Sequence, residues 1–105
     1  MSTHFNGLSP AQAERLALLL EELGEAQQAI GKILRHGYES EHPLKSVAKR
    51  QGDNRSALMK ELGDVFAAMD LLVGADDLDN DDIQDAREAK CNNVGKYLHH
   101  AKVPR

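Results

Sequence analysis

The chain has one cysteine, no tryptophan, four aromatic residues in all, and nine β-branched residues (five Val, three Ile, one Thr) among 105. Each shortage excludes something. A lone Cys91 closes no internal disulfide. With so few β-branched and aromatic side chains, strands have little to build from, whereas Leu and Ala dominate the apolar set; the expected fold class is all-α. The longest uninterrupted apolar run, Leu16 to Leu20, falls far short of the roughly 20 residues that a membrane-spanning helix needs. Positive charge is also scarce: a formal net charge of -4 and a pI near 5.7 leave no diffuse basic field for a nucleic-acid backbone. Neither a membrane nor a nucleic-acid polymer is therefore an expected partner. Because no charged segment followed by an apolar stretch opens the chain, the expected compartment is cytoplasmic.

What remains is 41% hydrophobic and 29% charged, the composition of a chain that folds. It reads as a single domain over residues 1–105, with flexible ends at 1–8 and 99–105. Folding at this size buries only about two-thirds of the unfolded surface, so a partner subunit would add needed core. Ser9, Pro10 and Gln12 supply an N-cap, a first-turn proline and a capping-box partner for helix one. Leu16, Leu19, Leu20, Leu23, Gln27, Ile30 and Leu34 then form one stripe until Gly37 stops the helix. Between Tyr38 and Asn54 lies a connector in which Pro43 can start a short helix through Val47. Asp53 or Asn54 caps helix two, whose Leu58, Leu62, Val65, Met69 and Leu72 recur at helical spacing before Gly74. Helix three begins after Asp79, with Ile83, Ala86, Lys90, Val94 and Tyr97 expected on one face. Neither repeats nor low-complexity segments stand out.

Chemistry concentrates in acids. Glu21, Glu22 and Glu25 share the side of helix one opposite the Leu stripe, and Leu18, Ala29 and Ile33 flank them, so both sides of this helix are expected to be covered. Glu61 and Asp64 repeat the arrangement on helix two among Ala57, Ala68 and Leu71. Bringing both faces together crowds four or five carboxylates, which protonation or a metal must neutralise. Oxygen-only ligands favour Mg²⁺, with Mn²⁺ as a substitute, over zinc. Lys90, Asn93, Lys96 and Tyr97 follow on helix three, Lys90, Asn93 and Tyr97 at a spacing that shares one face, as donors suited to phosphate oxygens.

EELGE with Glu21, Glu22 and Glu25, followed by ELGDV with Glu61 and Asp64, resembles the EExxE and ExxD motifs of the MazG-type all-α nucleoside triphosphate pyrophosphohydrolases. The later Lys90, Asn93 and Lys96 are similar to that family's basic segment, with Lys96 where an Arg is more usual, and the likeness spans Ser9 to Tyr97. It implies a helical bundle completed as a homodimer or homotetramer, Mg²⁺ held by Glu22, Glu25, Glu61 and Asp64, and hydrolysis of a nucleoside triphosphate between its α and β phosphates. Glu21 is then expected to orient the attacking water or act as base.

Competing readings attach to the same residues. Acids on a helix are ordinarily a solvated face, and a non-catalytic helical module could use them for inter-subunit salt bridges to Lys32, Arg35, Lys45 or Lys49. The end of EELGE also resembles the Nudix signature, but Ala17 and Leu18 stand where that motif has Arg and Glu. Asp77, Asp79, Asp81, Asp85 and Glu88 match ligand positions of a calcium loop, yet Asp82 replaces the glycine its turn requires. The histidines lack metal-ligand spacing, and no GxxxxGK[ST] phosphate loop is present.

Overall fold

A computed structural model describes residues 5–40 and 52–100, whose regular elements are all helices, with no strand among these residues. The Pro43–Val47 turn, Lys45, Lys49, His4 and His42 lie outside the described residues. Helix α1 spans Pro10–His36, α2 Asn54–Gly74 and α3 Asn80–Asn93, followed by a short 3-10 helix at Val94–Tyr97. No helix among the described residues is long and apolar enough to cross a membrane.

The start signals act as the sequence leads one to expect. The Ser9 hydroxyl accepts the Gln12 N–H while the Gln12 side chain accepts the Ser9 N–H, satisfying two amides that the helix leaves unpaired. Ser9→Ala removes half of that exchange and is expected to cost about 1 kcal/mol in denaturant unfolding. Asp53 accepts from the Ser56 N–H at the start of α2, and this bond holds the Asp53 carboxyl below its ordinary pKa. The cap is therefore intact at neutral pH and is lost only as pH falls through that lowered value. Asp79 caps α3 in the same way through the Asp82 N–H.

Two compact units are present, Met1–Leu72 and Val73–Arg105. In the first, a clasp joins the end of α1 to the start of α2. The Arg55 N–H donates to the Tyr38 carbonyl, the Asn54 side chain donates to the Gly37 carbonyl, and the Arg55 guanidinium pairs with Glu39 at 2.6 Å while lying 4.7 Å from the Tyr38 ring centre. Because acids halfway along both helices also meet, α2 runs back antiparallel to α1.

The side of α1 that is covered is not the Leu stripe. Ala26 and Ala29 are buried on α1, and Val65, Ala68 and Leu72 on α2, whereas Leu16, Leu20, Leu23, Ile30 and Leu34 are exposed, Leu20 at 74% and Leu34 at 82%. The buried residues on the acid-bearing face of α1 are small, while the larger residues of the stripe are exposed. On α2, Val65 and Leu72 of the apolar repeat are buried, whereas Leu62 of the same repeat is exposed, as are Met59 and Phe66.

In the second unit the expected continuous third helix is corrected. The α-helix stops at Asn93, and the 3-10 turn advances by about 120° per residue instead of 100°, which rotates Tyr97 roughly a quarter turn off the face of Lys90 and Asn93.

Candidate metal centre

Glu22 and Glu25 on α1 and Glu61 and Asp64 on α2 are all half-buried, and one carboxylate oxygen from each lies within 4.8 Å of the other three. Four of the five acids singled out from the sequence thus converge. Glu21 is exposed and stands beside this group without belonging to it. Convergence follows from register: within each helix the two acids are one turn apart, and Ala26, Ala29, Val65 and Ala68 are buried next to them.

Such a group is electrostatically costly. At 4.8 Å, each pair of ionised carboxylates repels by about 1 kcal/mol in water-like surroundings and about 3 kcal/mol at the effective dielectric of a protein surface. Glu61 sharpens the imbalance, because its Oε2 is buried and has no hydrogen-bond donor among the described residues. A buried acceptor without a partner is rare in folded chains and calls for a cation or a donor. Opposite ligands around Mg²⁺ stand about 4.2 Å apart, so modest carboxylate rotations bring these oxygens into range. The donor set is all oxygen, which suits Mg²⁺ or Mn²⁺ and not zinc. The residues present therefore fit a hard divalent ion.

Lys60, which the acid pattern of the sequence did not bring forward, also belongs to this surface. Its ammonium is 2.8 Å from Asp64 Oδ2 and 3.5 Å from Glu61 Oε1. Asp64, by hydrogen bond and charge, and Glu61 by charge raise the Lys60 pKa above its ordinary value. The signal that finds it is its i, i+4 spacing to Asp64. A second missed pattern is that the two tetrapeptides, Glu22-Leu23-Gly24-Glu25 and Glu61-Leu62-Gly63-Asp64, are nearly the same sequence in the same register. Leu19 matches Leu58 and Ala29 matches Ala68 outside them, with equal burial in each pair.

Neither tetrapeptide glycine is forced by backbone or packing. A Cβ at Gly24 or Gly63 meets nothing within 4 Å, and neither has a positive φ. Gly63→Ala is accordingly expected to stabilise the chain by about 0.5–1 kcal/mol, read from denaturant midpoints, through helix propensity alone.

The remaining expected site residues lie in the second unit. Lys90, Asn93, Lys96 and Tyr97 are exposed, Tyr97 at 74%, and the Asn93 amide donates to the Ala89 carbonyl at 2.8 Å, which engages one of its two N–H groups. His99 and His100 are exposed with ring centres 6.4 Å apart. No protein-family model, curated protein or solved structure matches this chain.

Proposed function

We propose that the chain is a MazG-like, Mg²⁺-dependent nucleoside triphosphate pyrophosphohydrolase, cytoplasmic, that acts as an assembly of identical subunits. The observation that carries this reading is the approach of Glu22, Glu25, Glu61 and Asp64 to within 4.8 Å across two helices, with Glu61 Oε2 buried and unpartnered. Paired salt bridges alone do not require acids from two helices to crowd one point.

Glu22, Glu25, Glu61 and Asp64 hold the ion in this reading. When bound, a divalent ion neutralises phosphate charge and acidifies a coordinated water. The half-buried setting keeps the four carboxylates preorganised and partly shielded from screening. Glu21, exposed and adjacent to Glu22 in sequence, is the residue this reading assigns to orienting or deprotonating the attacking water. The phosphate-binding role of Lys90, Asn93, Lys96 and Tyr97 rests on the sequence resemblance.

The exposed Leu stripe supports assembly. Leu16, Leu20, Leu23, Ile30 and Leu34 follow the alternating three- and four-residue spacing of a helix that packs on another helix, interrupted by Gln27. The described residues of the first unit leave this stripe exposed, and in this reading a second copy covers it.

Incubation with a panel of ordinary and modified nucleoside triphosphates and Mg²⁺, followed by phosphorus NMR, tests the reaction. The expected products are a nucleoside monophosphate and pyrophosphate. Orthophosphate with a diphosphate, or no turnover of any triphosphate, rejects the assignment.

A further inference from the structure

We propose that Lys60 is a built-in counter-ion of the carboxylate cluster that a divalent cation displaces, so that this side chain sets how tightly the metal is held. The inference rests on the metal-site reading above and goes beyond it. Aligning the two tetrapeptides makes Lys60 the equivalent of Glu21, so a cation precedes the acids of α2 where a further acid precedes those of α1. Its ammonium sits 2.8 Å from Asp64 Oδ2 and 3.5 Å from Glu61 Oε1, two of the four residues that converge, yet it leaves Glu61 Oε2 without a donor.

An ammonium offers three N–H donors at hydrogen-bond distance and a single charge. Four carboxylates exceed what it can satisfy. A divalent ion gathers oxygens at about 2.1 Å and carries twice the charge, and an ammonium kept on the same carboxylates would stand roughly 4 Å from it, so the two cations repel and the weaker ligand leaves. Displacing the lysine is easy, because its side chain is 67% exposed and swings into water without desolvation.

Calorimetric titration with Mn²⁺ alone, in the absence of nucleotide, tests this. Lys60→Met is expected to bind Mn²⁺ roughly three- to tenfold more tightly than the natural chain at low ionic strength, with the difference shrinking as salt screens the removed charge. Lys60→Gln is expected to behave alike and guards against a variant that folds poorly, which circular dichroism would reveal. Lys60→Arg, which keeps the charge, is expected to stay near the natural affinity. Equal or weaker binding by both neutral variants overturns the proposal while leaving the metal site standing. If the natural chain takes up no Mn²⁺ and Glu61→Gln is indistinguishable from it, the site reading fails and this inference with it.

Discussion

Glu61→Gln is expected to abolish both metal-induced stabilisation and triphosphate hydrolysis while leaving the fold intact. The substitution keeps size and shape but removes one negative charge from a group crowded within 4.8 Å. Relief of repulsion means the metal-free variant should melt at the same temperature as the natural chain or higher. Mg²⁺ at ten times its dissociation constant should add about 1.4 kcal/mol to the natural chain, which for a domain of this size is a rise of roughly 5–10 °C. Thermal melts of both proteins with and without Mg²⁺ make the comparison. The variant should show almost none of that rise, and its pyrophosphate release should fall by roughly a hundredfold or more. A variant that still responds to Mg²⁺ like the natural chain places the metal elsewhere, and lost stability without metal would mean that Glu61 is structural.

Leu20→Lys should have an effect of comparable size by a different route. Leu20 is 74% exposed and points away from the acids, so on a lone chain the change is a surface substitution worth no more than about 0.5 kcal/mol. If a second copy covers the Leu stripe, the same change buries a charge at the interface, and twofold symmetry places it there twice. Light scattering should then show the mass falling from that of the assembly to that of one chain, and the melting temperature should drop by about 10 °C or more at micromolar concentration. A natural chain that already runs as a monomer, or a variant that assembles normally, contradicts the assembly.

Helix limits were legible where the code is local. Ser9, Gln12, Asp79 and Gly74 act within a few residues of themselves, and the helices begin and end where these residues place them. The meeting of Glu22 and Glu25 with Glu61 and Asp64 was legible too, because helical spacing fixes which side chains share a face. That the Leu side of α1 is left exposed while the acid side is covered was not. Both sides of α1 carry apolar residues, and the stripe rich in Leu reads as covered by hydrophobicity, but the residues that are buried beside the acids are the small Ala26, Ala29 and Ala68. Ala contributes little to an apolar pattern and much to the distance between helices. The end of α3 is not legible in the sequence, because Val94 and Tyr97 continue an α-helical period although the backbone tightens to a 3-10 turn at that point. Lys60 does not stand out in the sequence, because a lysine among acids on a helix is so often an ordinary i, i+4 pair.

Crystals of the protein grown with Mn²⁺ and measured at the manganese absorption edge address the shared-ion claim without recourse to activity. The expected result is an anomalous peak about 2.1–2.3 Å from oxygens contributed by both helices, Glu22 or Glu25 on one side and Glu61 or Asp64 on the other. Saturating Mn²⁺ that leaves no peak between these four carboxylates, or binds only at other residues, would contradict it.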